Sequence, residues 1–395
     1  MTLGETGMDN ESKLLIGAVG LAVAGKPFQS PDAVDWTAFL QLAADHGVIA
    51  LACDGLLKSS ELWSNIPQAV QQQLRNAYFR AVHRELQQDH IQQQLQQALI
   101  REQVSHIFLK GACIKHSYPV SALRTMSDMD ILVHTEDYDA IDRAARSLGG
   151  KQYDGDGNHR NYVFPGDVGV EFHPNLLHHA TPVATGINPG WQYAKKEPSA
   201  GAMELTEEGI YLNVLCHLAD HFVDGGVGVR FVLDVWVCRH LRTPQPDRCF
   251  IEQELERIGM LEFARNIEAL AEAWFSDGEM TPLLEDLGAY ILTSGSHGIT
   301  ERAMLNAVSL SSGGSRSSAL LGRIFYPRQE LEDRFPWCKG KGWLIPAAWF
   351  ARVFDTVTKR SHLIVKWAKG TGQFSKEQIK TQREMLNRFG IHPDK

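Results

Sequence analysis

The chain has 395 residues, 44% of them hydrophobic, which is enough for a substantial core and, by length, for two or three domains. Charged residues make up 22%, which excludes wholesale disorder. The formal net charge of −8 argues against nonspecific binding to nucleic acid or to an anionic membrane. The cysteines form no CxxC pair, and no targeting or membrane-spanning pattern is visible, so we expect a cytoplasmic protein.

Residues 1–103 are predicted to form an N-terminal helical region. Asp35 precedes the sequence Trp36-Thr37-Ala38-Phe39-Leu40, and an aspartate in that place is typical of a helix N-terminus. From Glu61 to Gln103 the chain is rich in glutamine, with apolar residues spaced mostly four or five apart. This spacing predicts one or two long amphipathic helices whose glutamines form a solvated face.

Residues 104–180 are predicted to form a small α/β core with a mixed sheet. Short β-prone runs at 104–109 and 130–134 predict two strands, and 137–148 reads as a helix closed by Gly149-Gly150. Two further strands, at 161–164 and 168–173, are joined by Pro165-Gly166-Asp167, a hairpin signal. Residues 181–203 are predicted to be a loop, and the C-terminal region, 181–395, is otherwise predicted to be helical. The predicted fold class is therefore α+β.

The pattern with the clearest chemical meaning is Asp128-Met129-Asp130, directly before the apolar run at 131–133. Aspartates two residues apart on an extended chain project to the same side. Carboxylates this close repel each other, and a divalent cation relieves the repulsion; Mg²⁺ usually binds one or two carboxylates together with phosphate oxygens. Taken alone, the pattern equally fits a turn with two solvated acids.

Three other features favour a metal-and-phosphate site. Lys110-Gly111 follows a predicted strand, and a glycine lets backbone approach phosphate closely, although most such pairs are ordinary turns. Glu171, on a later strand, offers a third carboxylate for a metal or for a proton; its ordinary alternative is an exposed strand residue. Arg124, four residues before Asp128, is suited to pair with a phosphate or an aspartate, or to form a surface ion pair.

With these residues the sequence resembles the nucleotidyltransferase superfamily of DNA polymerase β-like fold and, more narrowly, a bacterial family of uncharacterised nucleotidyltransferases. The resemblance is carried by the following segments: Leu109-Lys110-Gly111, Tyr118-Pro119, Arg124, Ser127 to Val133, Val170 to His173, His217 to Phe222, Gly226 to Arg230, Asp234, Phe325 to Pro327, and Leu344 to Trp349. It implies that Asp128, Asp130 and Glu171 are catalytic and bind two Mg²⁺ ions, with Mn²⁺ as an alternative. It also implies nucleotide contacts from Lys110, Gly111, Ala112, Arg124, Ser127 and Arg230.

Two positions depart from the superfamily pattern. Ala112 stands where a serine usually follows the glycine, so a hydroxyl contact to phosphate is missing. Glu171 stands where the third acid is usually the shorter aspartate. These departures motivate an alternative in which the domain binds nucleotide without catalysis, as a regulatory or partner-binding module.

A second group of polar residues is predicted to line the cleft. His217 and His221 lie four residues apart on one helix face but lack the glutamate of an HExxH motif, so we expect hydrogen-bonded histidines in preference to a zinc site. Arg230 and Asp234 have the same spacing and are predicted to pair. His173, two residues after Glu171, is predicted to share its strand face; a structural core histidine is the alternative.

The predicted function is therefore a Mg²⁺-dependent nucleotidyltransferase that moves a nucleoside monophosphate from an NTP, with ATP expected, to a hydroxyl or similar acceptor. The acceptor is a small molecule, a peptide or a protein, because the acidic charge argues against a long nucleic acid and against a membrane. A second alternative keeps the fold but transfers a terminal phosphoryl group.

Overall fold

The computed structural model describes residues 8–153, 159–177, 187, 190–195, 201–295, 298–311, 314–319, 328, 331–332, 335–354 and 370–392. The named helices are α1 (Asn10–Val23), α2 (Trp36–Asp45), α3 (Ile49–Leu57), α4 (Ser60–Ser64), α5 (Gln68–Arg101), α6 (Lys110–Ile114), α7 (Tyr138–Ser147), α8 (Glu207–Val223), α9 (Val229–His240), α10 (Arg248–Arg257), α11 (Leu261–Phe275), α12 (Pro282–Leu292), α13 (Thr300–Leu310) and α14 (Lys376–Arg388). The strands are β1 (His106–Phe108), β2 (Asp128–Val133), β3 (Lys151–Tyr153), β4 (Arg160–Phe164), β5 (Val168–His173), β6 (Ala194–Lys195) and β7 (Ala202–Leu205).

The strands form one mixed sheet in the order β3-β4-β5-β2-β1-β7-β6. β2 pairs in parallel with β5 and antiparallel with β1, and the β4–β5 hairpin is antiparallel. The sequence-based predictions of β1, β2, α7 and this hairpin are confirmed, as is the α+β class with helical flanks. The predicted helix start is confirmed too, because Asp35 accepts hydrogen bonds from the backbone N–H groups of Thr37 and Ala38 at the start of α2.

The prediction of a loop over 181–203 is wrong where β6 and the first residues of β7 lie. β7 pairs in parallel with β1, with His106 opposite Ala202, so the sheet extends past residue 180. These strands are short, and the pairing of β7 with β1 joins segments almost a hundred residues apart, which local patterns do not record. The proposed boundaries at residues 103 and 180 stay predictions.

Along β2 and β5, successive side chains point alternately to the two faces of the sheet. One face of β2 and β5 buries Met129, Ile131, Val133, Val170 and Phe172 against Ile91, Leu95 and Leu99 of α5 and against α7. The alternate residues of both strands, which include Asp128, Asp130, Glu171 and His173, therefore lie on the opposite face. Because packing fixes the apolar face, it also fixes the polar one.

A larger hydrophobic core joins helices from both ends of the chain. It runs from Leu14 on α1 to Ile391 after α14, and it includes most buried residues of α8, α9 and α11. The first helices therefore pack on the C-terminal helices as well as on each other. Among the described residues, no helix combines the length and the apolar character needed to cross a membrane.

One buried carboxylate, Glu268 on α11, connects three other helices. It accepts hydrogen bonds from Arg239 of α9 at 2.6 Å, from Arg248 of α10 at 2.8 and 3.0 Å, and from the hydroxyl of Tyr211 of α8. Burial by itself raises the pKa of Glu268, but the bonds from Arg248 and Tyr211 and the charge of Arg239 outweigh it and lower the pKa below 4.5. The ionised form is therefore favoured by folding.

We expect Glu268→Gln to lower the free energy of unfolding by about 2–3 kcal/mol near neutral pH, because the arginines lose their buried anion. A lowered pKa stabilises the fold above the unfolded pKa, and this contribution disappears as pH falls through the folded value. The difference in the free energy of unfolding between wild type and Glu268→Gln, measured by urea unfolding, should therefore become smaller below about pH 4. Glu272→Gln, one turn later on α11 and more exposed, is the control with an expected effect under about 1 kcal/mol. An unchanged gap in acid would contradict this account.

Candidate active site

The register between β2 and β5 brings the acidic residues together. Asp130 lies beside Glu171, Leu132 lies beside His173, and Asp128 lies beside Gly169. His173 Nε2 is 2.9 Å from Asp130 Oδ1 and 3.3 Å from Glu171 Oε2. Within the described part of the chain, Asp130, Glu171 and His173 are the one group of three possible metal ligands whose donor atoms all lie within 4.8 Å of one another.

Asp128 lies outside this group of three but interacts with it electrostatically. Its side chain is half-buried, and Ser127 Oγ donates a hydrogen bond to Asp128 Oδ1 at 2.9 Å. Burial raises the pKa of Asp128, and the negative charges of Asp130 and Glu171 raise it further. A bound cation would relieve this repulsion, so the residues present fit a divalent metal ion.

The pKa of Glu171 is shifted in the opposite direction. The hydrogen bond with His173 lowers the pKa of Glu171, and this effect outweighs the opposing contributions of burial and of Asp130. Glu171 is therefore ionised at neutral pH, as a metal ligand must be. A general base works best with a pKa near the working pH, so the lowered value favours ligation over proton abstraction.

Lys110 places a positive charge against the same carboxylates. It is the first residue of α6 and has a positive φ of 48°, a conformation that is uncommon for a lysine. The preceding Leu109 N–H donates to the backbone carbonyl of Asp130 at 2.9 Å, which fixes this turn to β2. Lys110 Nζ then donates to Asp130 Oδ1 at 2.8 Å. Asp130 is thus the centre of a network with Lys110 and His173.

Gly111 packs closely against Arg124. A Cβ added at Gly111 would lie 2.7 Å from Arg124 Nη1 and 3.0 Å from Met126 Sδ. The neighbouring Ala112 is buried, with 4% of its surface exposed. Contacts of Gly111, Ala112 and Ser127 with a nucleotide stay predictions.

We expect Gly111→Ala to destabilise the protein by about 1–3 kcal/mol, because the added methyl group overpacks the space beside Arg124. The midpoint of thermal or urea unfolding measures this effect. Gly372→Ala is the matched control, since a Cβ there has no atom within 4 Å, and its effect should stay within about 0.5 kcal/mol. Equal effects at both positions would refute the packing explanation.

A second charged group surrounds Asp234 on α9. Arg124 donates to both carboxylate oxygens, with Nε 3.0 Å from Oδ1 and Nη2 2.6 Å from Oδ2, and Tyr118 Oη donates to Oδ1 at 2.6 Å. Arg230 Nη1 is 3.8 Å from Oδ2. The predicted Arg230–Asp234 pair is therefore present, but the principal partner of Asp234 is Arg124. A direct contact of the buried Arg124 with a nucleotide stays a prediction.

Arg230 is left with a charge that its surroundings compensate only in part. Its side chain is 18% exposed, and its guanidinium lies over the ring of Phe231 at 4.9 Å. Burial and the charge of Arg124 lower the pKa of Arg230 to about 10, and the charges of Asp234 and Asp128 oppose that shift. The guanidinium is still protonated at neutral pH and is suited to bind an anion near Asp128.

The two histidines of α8 lie together. His217 Nε2 and His221 Nε2 are 3.0 Å apart, and both rings pack on Phe231, each with a centroid distance of 5.4 Å. They do not belong to the group formed by Asp130, Glu171 and His173. Both histidines and the Arg230 guanidinium lie against the ring of Phe231, and the cleft-lining prediction stays a prediction.

Two residues of α5 position the site without any signal in the local sequence. Gln88 Nε2 donates to the carbonyl of Met126 at 3.0 Å, and the Arg84 guanidinium donates to the carbonyls of Gly166 and Asp167 at 2.9 and 2.8 Å. They fix the backbone before Asp128 and the turn between β4 and β5. The prediction that the glutamines between Glu61 and Gln103 form a solvated face is wrong at Gln88, which is 3% exposed.

A family model described as an uncharacterised nucleotidyltransferase matches residues 32–276, which include β2, β5 and both charged groups. The chain belongs to this family. No curated protein and no solved structure matches it. Membership of the family supports an enzyme that carries out nucleotidyl transfer, and the buried Asp–Glu–His group is compatible with that chemistry.

Proposed function

We propose that this family member transfers a nucleoside monophosphate from an NTP, with ATP as the expected donor, to a hydroxyl or similar group of a small molecule, a peptide or a protein. The observation that supports it most directly is the placement of Asp128, Asp130 and Glu171 on one face of two adjacent parallel strands. Three carboxylates in a partly buried position are the ligand type that Mg²⁺ and Mn²⁺ prefer.

Asp128, Asp130 and Glu171 would hold the metal ions. Two Mg²⁺ ions, or Mn²⁺ as the alternative, would stabilise charge on the attacking and leaving oxygens of an in-line displacement at the α-phosphorus. Asp130 is held in place by Lys110 Nζ and His173 Nε2, both on its Oδ1. Glu171, kept ionised by His173, is assigned to metal ligation, so the acceptor hydroxyl loses its proton to another group or to solvent.

Two cations would bind the triphosphate. Lys110 is in contact with Asp130, and Arg230 is within electrostatic range of Asp128. Arginine binds phosphate with two parallel hydrogen bonds, whereas lysine acts as a point charge, so the two side chains suit different oxygens. Ser127, Gly111 and Ala112 complete the proposed nucleotide contacts at the same edge of the sheet.

The test is transfer of label from ATP to acceptors in a cell extract, with Mg²⁺ or Mn²⁺ present. ATP labelled at the α-phosphate and ATP labelled at the γ-phosphate are compared for wild type and for Asp128→Asn. We expect the wild-type protein to transfer the α-label to a product and to release pyrophosphate. Asp128→Asn should do neither. Products carrying the γ-label would identify a phosphotransferase. Calorimetric binding of ATP without any transfer would favour a nucleotide-binding module.

A further inference from the structure

The proposed function assigns the metal ligands to carboxylates and leaves His173 as a supporting residue. We infer that His173 is itself a metal ligand through Nε2, and that it makes this site bind a first-row transition ion in preference to Mg²⁺. The inference rests on the proposed function, since it assumes a divalent ion between β2 and β5. It adds a nitrogen donor and a metal preference to that site, and a bond from His173 Nε2 to the ion would replace the contacts of Nε2 with Asp130 and Glu171.

The two distances from His173 Nε2 to the carboxylates are those of neighbouring ligands on one ion. Ligands at right angles on an ion with bonds of about 2.1 Å are about 3 Å apart. His173 Nε2 is 2.9 Å from Asp130 Oδ1 and 3.3 Å from Glu171 Oε2. All three donor atoms converge within 4.8 Å, and the His173 side chain is only 3% exposed.

The surroundings of His173 differ from those of other buried histidines. His46 Nε2 donates to the Leu292 carbonyl, while its Nδ1 accepts from the Val229 N–H, and His106 Nδ1 faces the Val104 carbonyl. The backbone thus satisfies both ring nitrogens of His46 and the Nδ1 atom of His106. His173 Nε2 instead faces carboxylate oxygens from two strands, and a single N–H can point well at only one of them. A cation between the three atoms would serve both oxygens and the nitrogen lone pair.

The nitrogen donor decides which metal is preferred. Mg²⁺ demands oxygen ligands, whereas the affinity of a mixed nitrogen and oxygen site rises from Mn²⁺ through Co²⁺ along the first transition row. Asp128 lies outside the group of three. The two metal positions would therefore be chemically unlike, with an imidazole at the Asp130–Glu171 position and carboxylates alone at the Asp128 position.

The first experiment measures metal affinity on the full-length protein, without nucleotide and then with ATP. Calorimetry with Mg²⁺, Mn²⁺ and Co²⁺ compares wild type with His173→Gln and with the control His106→Asn, a buried histidine on β1. Wild type should bind Mn²⁺ at least about tenfold more tightly than Mg²⁺. His173→Gln should weaken Mn²⁺ binding by about 10–100-fold and Mg²⁺ binding by less than about threefold. Equal losses for all three ions would overturn the inference.

The second experiment observes the bond itself. Pulsed electron paramagnetic resonance on the wild-type protein with Mn²⁺ should detect coupling to an imidazole nitrogen, and ¹⁵N-labelled histidine should change it. This measurement decides the matter even where His173→Gln fails to fold. If Mn²⁺ binds but shows no coupling to nitrogen, only this inference is overturned, because a metal site made of carboxylates alone would remain. No metal binding with or without ATP would overturn the inference and the metal dependence of the proposed function together.

Discussion

Asp130→Asn should lower the rate of α-phosphate transfer by more than about 100-fold, because even residues that only support a metal ligand typically contribute 10–100-fold. Asparagine keeps the size of the side chain and removes its charge. Asp130 is the shared partner of Lys110 and His173 and lies beside Glu171 in the sheet. The substitution therefore removes the central anion of the site, and affinity for Mn²⁺ should fall together with transfer.

The control for this prediction is Asp139→Asn, the same substitution at an exposed position in the first turn of α7. We expect full activity and unchanged metal affinity for the control. Circular dichroism and the unfolding midpoint establish that both variants are folded, because Asp130→Asn leaves Lys110 beside a neutral partner. Wild-type rates in a folded Asp130→Asn variant would rule out Asp130 as a metal ligand in the reaction.

The central strands, and the sheet face that carries the acidic residues, could be predicted because both depend on the alternation of side chains along a strand. Met129, Ile131 and Val133 are apolar at every second position, so the residues between them share the other face. The same holds for β5, where Glu171 and His173 are separated by Phe172. Which face of each strand is buried follows from these patterns, and the parallel pairing adds that the two polar faces meet.

The partners that hold the site in place could not be predicted, because they lie far apart in the sequence. Arg124 and Asp234 are 110 positions apart, and Gln88 is 38 positions from Met126. The spacing of four residues along a helix predicts that Arg230 pairs with Asp234. Such spacing carries no information about an arginine on another segment that lies nearer to Asp234. Gln88 occupies a polar stretch that, without the sheet beside it, resembles an ordinary solvated surface.

The pair of Arg124 and Asp234 should have the largest effect on stability. Their side chains are 5% and 6% exposed, and the arginine contacts both carboxylate oxygens. Asp234→Asn leaves two neighbouring guanidinium groups, those of Arg124 and Arg230, without their anion. Removing one partner of a buried pair typically lowers the free energy of unfolding by about 3–5 kcal/mol, and we expect that range here.

A double-mutant cycle separates the charge effect from the loss of shape. Arg124→Met/Asp234→Asn removes both charges and should recover part of the stability lost in Asp234→Asn, because only the guanidinium group of Arg230, and no longer that of Arg124, then faces a neutral partner. Asp286→Asn, which breaks an exposed pair with Arg388, is the matched control with an expected loss under about 1 kcal/mol. Urea unfolding measures these variants together with Arg124→Met, the second single variant that the cycle requires. A double variant less stable than Asp234→Asn would mean that the packing of Arg124, and not its charge, determines the stability of this region. The pair joins α9, which carries Arg230, to the segment that leads into β2 and Asp128.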